Sequence, residues 1–268
     1  MRNRNLFALA LLPWLLWAAT PSAAAAQNLE EALAGDHRSA ENAARDQYRH
    51  PAETLRFFGL QEDLRVLEIA PGGGWYTEVL APFLAQKGEL TVASSGNYSS
   101  YNDKLAGDPG TYGRVRVVPF SRKRLLRKPR YLEEVAEGSM DMVLTFRNSH
   151  NWIRRGAAPR IYRAFFRVLR PGGTLGVVQH RAAPGADAES SAVQGYVPED
   201  YLVQLAEQAG FRLQERSDIN ANPRDTRDHP KGVWTLPPVL RLKDQDRDKY
   251  LAIGESDRMT LRFTKPMP

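Results

Sequence analysis

The sequence predicts an α/β protein: a doubly wound, mostly parallel seven-stranded sheet with helices on both faces and an antiparallel last strand. Three observations predict it. Short apolar runs alternate with amphipathic segments along most of the chain, the signature of a parallel sheet covered on both sides. Residues 66–80, VLEIAPGGGWYTEVL, run from an apolar strand through a glycine turn into a helical pattern. A polar, proline-bearing stretch then precedes the apolar residues 259–263, which suits a final strand returning in the opposite sense.

Residues 28–48 are polar and alanine-rich and read as a lead-in helix, broken at His50-Pro51. A short helix over 52–58 stops at Gly59. Strand one covers 65–69 and a helix 76–85, halted by Lys87-Gly88, with Val79, Leu80, Phe83 and Leu84 on one face. Strands two and three are read at 89–93 and 115–118. The segment 94–113 between them is a loop with room for a short helix, and its Tyr98 and Tyr101 could flank a ligand. Strand four covers 140–145. The helix over 157–169 gathers Ile161, Phe165, Val168 and Leu169 on one face and ends at Arg170-Pro171-Gly172-Gly173. Strand five is 174–179, a helix opens at Pro198 and stops at Gly210, and strands six and seven are 211–217 and 259–263.

Residues 1–26 stand outside this fold. Arg2 and Arg4, an apolar block over 6–19 and the alanines Ala23 to Ala26 compose a secretory leader, with an A-x-A cleavage site at Ala24 and Ala26. The block is short for a bilayer and Pro13 interrupts it, so the expectation is cleavage and export, to the periplasm, with no membrane span in the mature chain. Residues 27–268 then form a single domain with a long insertion at about 219–257.

Composition excludes several classes. The chain has no cysteine, which removes disulfides and thiolate metal clusters. Loss of Arg2 and Arg4 with the leader lowers the formal charge from +6 to +4. The excess sits in Arg122-Lys123-Arg124 and Arg127-Lys128-Pro129-Arg130, followed by Glu133 and Glu134 and without interleaved aromatics before Tyr131. That is the pattern of a solvated face rather than a nucleic-acid surface. His150, His180, Asp228 and His229 lack short-range ligand spacing, so no metal is expected. Ser94, Ser149 and Ser191 lack a nucleophile elbow, which argues against hydrolase chemistry. The partner expected is a small molecule.

In an open parallel sheet, ligands bind at the carboxyl ends of the strands where the order reverses. Glycines there let backbone approach a ligand, and the first N–H groups of the next helix point at it. Glu68 leaves strand one as a hydrogen-bond acceptor. After strand four come Phe146, Arg147, Asn148, Ser149, His150, Asn151 and Trp152, too many polar groups to bury without purpose. Arg147 and Asn148 read as ligand contacts, Asn151 and Trp152 as substrate contacts, and His150 as a general base with a suitable ordinary pKa. At the end of strand five His180 is a second catalytic candidate and Arg181 a cation for an anionic substrate. In the insertion, Asp225, Asp228, His229 and Trp234 either fold over the site, with His229 touching substrate, or form a self-contained loop.

Three blocks, EIAPGGGWYTE, DMVLTFRNSHNW and LRPGGTLGVVQHRA, resemble the class I S-adenosylmethionine-dependent methyltransferases. PGGGWYTE, RNSHNW and GESDRMTLRF look like a narrower group, the exported methyltransferase-like proteins of bacteria. The resemblance covers most of residues 50–268 and implies a Rossmann-like methyltransferase fold with S-adenosyl-L-methionine (SAM) as cofactor. It implies that Glu68, Ala70, Gly72, Gly73 and Gly74 wrap the cofactor's amino-acid part, with alanine where the family pattern has its first glycine. At the tip of strand two, where the family carries an acid for the ribose hydroxyls, this chain has Ser94 and Ser95. Phe120 and Ser121 fall at the adenine-side position. Export sets this reading against the compartment in which SAM is made. The rival expectation is therefore a non-catalytic exported small-ligand-binding protein that retains the fold.

Overall fold

The structure, a computed structural model, describes residues 28–95, 99–124 and 127–268. The leader expected over 1–26 and Tyr98 lie outside the described residues. Nine strands are described: β1 Arg65–Ile69, β2 Glu89–Ser94, β3 Arg116–Pro119, β4 Ser121–Arg124, β5 Arg127–Tyr131, β6 Met140–Phe146, β7 Leu169–His180, β8 Arg212–Ser217 and β9 Arg258–Thr264. Seven form one sheet in the order β3-β2-β1-β6-β7-β9-β8. β1 pairs in parallel with β2 and β6, and β6 with β7, whereas β9 runs antiparallel to both β7 and β8. The fold class read from the sequence is the fold observed.

Alternation along the strands divides the core into two layers. Leu67, Ile69, Val143, Leu175 and Val177 face the layer that holds the Ala158–Val168 helix. Val66, Met142, Leu144 and Val178 face the layer of the Pro51–Phe58 and Thr77–Leu84 helices. Glu68 shares the parity of Val66 and is carried into that second layer. Ile161, Tyr162, Phe165 and Val168 are fully buried, each contributing about 1.5–3 kcal/mol by leaving water.

Several regions differ from the sequence expectation: β7 begins at Leu169 rather than 174, and Ser149–Arg154, Ala188–Val193 and Arg247–Ile253 are further helices. The lead-in is three short helices, Leu29–Ala34, Ala40–Ala43 and Asp46–Arg49, rather than one. The basic run lies in a two-stranded antiparallel hairpin of β4 and β5, separate from the main sheet. Consecutive charges and Pro129 hide the period-2 alternation by which a strand is recognised. Among the described residues, no helix is long and apolar enough to cross a membrane.

Candidate active site at the carboxyl ends of β1, β6 and β7

The chain order reverses between β1 and β6, since β2 and β3 extend the sheet one way and β6 and β7 the other. Both strands end in left-handed backbone on residues other than glycine, Ala70 at φ 48° and Arg147 at φ 63°. Each costs about 1–2 kcal/mol, so the surroundings must hold it. Ala70 N–H donates to Ala93 O at 2.9 Å and Arg147 N–H to Val178 O at 2.7 Å. Asn148 Nδ2 donates to the carbonyls of Ile69 and Ala70 at 3.2 and 3.3 Å, tying the end of β6 to the turn after β1.

The turn Pro71-Gly72-Gly73-Gly74 is open on one side and backed on the other. A Cβ at Gly72 or Gly73 would meet nothing within 4 Å, whereas one at Gly74 would lie 2.9 Å from the Tyr101 ring. Tyr101, on the Ser99–Gly107 helix, is fully buried and supports the turn from behind. Trp75 follows the turn and is gripped by the lead-in. Its Nε1 donates to Asn42 O at 2.9 Å, and the guanidiniums of Arg49 and Arg38 lie 4.7 and 5.4 Å from its ring.

A cavity of about 230 Å³ opens beside the turn. Glu68 lies on its wall, buried, accepting from Thr77 Oγ1 at 2.6 Å. Burial raises its pKa to about 7 against the opposing Thr77 hydrogen bond and Lys104 charge. Tyr76 and Phe146, stacked with ring centroids 3.5 Å apart, supply an apolar wall. From the insertion, Trp234 and Pro237 also line it, with Trp234 edge-on to His150 and the Arg241 guanidinium 5.0 Å from the Trp234 ring.

His150 and His180 both border this cavity, 5.8 Å apart between ring centroids. Chiefly through burial, the pKa of His150 falls to about 4 and that of His180 falls well below its ordinary value, so both rings are neutral near pH 7. Their tautomers follow from their neighbours. Gln179 Oε1 accepts from Ser149 N–H at 3.1 Å, which turns its Nε2 towards Gly195 O at 3.1 Å and His150 Nδ1 at 3.3 Å. His150 Nδ1 must then accept, and a neutral ring carries its proton on Nε2. This tautomer offers a donor at Nε2. His180 Nδ1 pairs with Ser256 Oγ at 2.5 Å.

Of the residues expected from sequence, Glu68, Ala70, Gly72, Arg147, Asn148, His150, Asn151 and His180 border one cavity, and Gly73 lies next to them in the turn. Others lie elsewhere. Phe120 and Trp152 pack together in the core, 5.7 Å apart, with Trp152 also against Tyr162 and Phe165; neither borders the cavity. Arg181 is spent on the protein's own carboxylates. It grips Asp257 through Nε and Nη2 at 3.0 and 3.1 Å, and its Nη1 donates to Asp218 at 2.9 Å. His229 pairs with buried Asp225 at 2.9 Å, and Asp225 also accepts from Tyr196 and from Asp257 N–H. The insertion is thus both of the things expected: residues 225–229 form an internal network and residues 233–239 cover the cavity. Ser94 is buried, Ser95 is exposed at the tip of β2, and Ser121 pairs with Tyr131 in the hairpin.

Sequence reasoning missed Arg49 and the Glu255-Ser256 pair, while Trp234 borders the cavity as its lid reading expected. Arg49 carried no signal, being one of several arginines in a polar lead-in. Glu255 and Ser256 had one, a cluster of polar residues directly before an apolar strand. Among the described residues, no group of three or more His, Asp and Glu side chains is arranged to hold a metal ion.

Compared with known proteins, the chain matches no family model and no curated protein sequence. Solved structures do match. A SAM-dependent methyltransferase from Aquifex aeolicus superposes with a TM-score of 0.55 at 15% identity, covering 83% of this chain and 93% of that one. A SAM-dependent methyltransferase from Methanosarcina mazei gives 0.51 at 15% identity over 80% and 97%. The fold is that of the SAM-dependent methyltransferases. The [4+2]-cyclase SpnF shares it too, with a TM-score of 0.57 at 18% identity over 90% and 92% of the two chains. A fold that serves a cyclase leaves the reaction to be argued from the site.

Proposed function

We propose that this chain is a SAM-dependent methyltransferase acting on a small molecule. One observation carries the reading. The turn over Gly72 and Gly73 is open at the sheet's switch point, beside a cavity that holds an ionisable Glu68 and two neutral histidines. Gly72 and Gly73 admit the cofactor's amino-acid part to backbone contact, and Glu68 accepts from its ammonium group. Ser95 stands where the resemblance implies a ribose-binding acid, which forgoes a charge-assisted bond of about 1.5–3 kcal/mol. The bound cofactor supplies an electrophilic methyl group. His150 Nε2–H holds an acceptor atom in place, and a Ser256 hydroxyl that accepts from His180 Nδ1 leaves His180 Nε2 to receive the acceptor's proton. Holding the reactants in line accounts for most of the rate.

Calorimetry of the purified protein with SAM and S-adenosylhomocysteine tests this, with micromolar binding expected. No heat at millimolar ligand would favour the rival, a binding protein for another small molecule. The leader composition, Arg2 and Arg4 before an apolar block and Ala24-x-Ala26, supports the further proposal of export to the periplasm. The intact mass of the mature protein checks it, since a retained Met1 would contradict cleavage.

A further inference from the structure

We propose that the methyl acceptor is an anion, taken at its negative group by Arg49 and Arg147. The acceptor role rests on the methyltransferase reading; the anion site does not. Arg49 is 2% exposed and borders the cavity, yet its Nη2 has no hydrogen-bond partner. Arg147 borders the same cavity on strained backbone, and its guanidinium makes no hydrogen bond or ion pair among the described residues.

The nearest carboxylate cannot satisfy them. Glu255 already accepts from Arg45 Nε at 2.7 Å and Arg49 Nε at 3.3 Å, and it ion-pairs with Arg258 Nη1 at 3.1 Å. Four arginines, counting Arg147, therefore share one carboxylate, and together they hold its pKa at about 2 against burial. Glu68, the cavity's other carboxylate, is drawn towards neutrality by its own burial. Arg181, after the next parallel strand, is by contrast paired on all three nitrogens by Asp257 and Asp218. Under-paired cations in a partly desolvated wall are costly to keep, and a cavity is where an incoming anion repays that cost.

Carboxylate and phosphate groups both fit two guanidiniums, which offer planar forks of donors. The anion could belong to the acceptor or be the cofactor's own carboxylate. Position favours the acceptor, because Arg49 and Arg147 border the same cavity as His150 and His180, the residues assigned to the acceptor atom. A cavity of about 230 Å³ suits a small anion rather than a polymer.

Trp75 and Trp234 border the cavity, so intrinsic fluorescence reports its occupancy. The full chain is titrated with benzoate and with inorganic phosphate, alone and with saturating S-adenosylhomocysteine, using neutral benzamide as control. The expected result is saturable binding of at least one anion under both conditions and none of benzamide. Arg147→Gln should weaken the anion by about tenfold or more, with Arg147→Lys recovering part of the loss. In the absence of ligand, Arg147→Gln should leave the melting temperature unchanged or raise it, which a purely structural arginine would not do. The proposal is overturned if neither anion binds the wild type, or if Arg147→Gln binds both unchanged. It is also overturned if S-adenosylhomocysteine displaces the anions competitively, since the arginines then serve the cofactor's carboxylate. Failure of the methyltransferase reading looks different: anions bind while S-adenosylhomocysteine does not.

Discussion

The two halves of the sheet's carboxyl edge are built for different ends. Beyond β1 and β6 the chain accepts left-handed backbone at Ala70 and Arg147, buried ionisable groups and under-paired arginines around a cavity. Beyond β3, Phe120 is packed against Trp152 and Tyr131, and Ser121 begins a hairpin. The β3 side has left-handed backbone too, at Leu132 (φ 56°), whose N–H donates to Phe120 O, so the contrast lies in the buried ionisable groups and under-paired arginines around the cavity. Strain and desolvation persist only where the surroundings enforce them, and they concentrate at functional sites. On the proposed reading, the chemistry lies at β1, β6 and β7 and the β3 side is a supporting wall.

Substitutions on each side break or sharpen that contrast. The largest effect is expected from Phe120→Ala, a loss of about 3–5 kcal/mol in chemical denaturation with S-adenosylhomocysteine affinity unchanged while the protein stays folded. Weakened binding by a folded variant would give Phe120 a ligand and erase the contrast. Next comes Gly73→Val, which projects into open space and should cost about a hundredfold in S-adenosylhomocysteine affinity while changing stability by no more than about 0.5 kcal/mol. Gly74→Ala, one residue on, should do the reverse. At φ 80° and against Tyr101 it should destabilise the fold by about 1–3 kcal/mol. Equal behaviour of the two glycines would show that the turn has no open side.

Ser95→Asp restores the missing acid at the tip of β2 and should tighten SAM binding about tenfold by calorimetry. No gain would mean that the ribose lies elsewhere. The smallest effect is in pH. The folded chain holds the Glu68 proton more tightly than the unfolded chain, so Glu68 opposes folding increasingly as pH rises from about 4.5 to about 7. Binding of an ammonium ligand favours the ionised form and reverses that opposition. Affinity for S-adenosylhomocysteine should therefore be about fourfold weaker at pH 6.5 than at pH 8, and Glu68→Gln should abolish the difference.

The fold was legible because its signals are local: alternating runs, the glycine turn, and the helix stops at Gly59 and Gly210. The cavity side was legible for the same reason, since Glu68, Ala70, Gly72, Arg147, Asn148 and His150 follow directly from two strand ends. What sequence could not give is the spending of charge. Arg181 and Arg147 look alike as arginines after parallel strands, yet Asp257 pairs directly with one, while the guanidinium of the other makes no hydrogen bond or ion pair among the described residues. Partners such as Asp257 and Glu255 lie 76 and 206 residues from the arginines they meet. The tautomer of His150 was likewise hidden, being set by Gln179 on the adjacent strand.

A crystal structure of the protein with S-adenosylhomocysteine tests the central claim most directly. The account predicts the ligand's amino-acid end against Gly72, Gly73 and Asn148, with Glu68 on its ammonium group. A ligand bound away from this turn, or a turn filled by the protein's own side chains at saturating ligand, would contradict it.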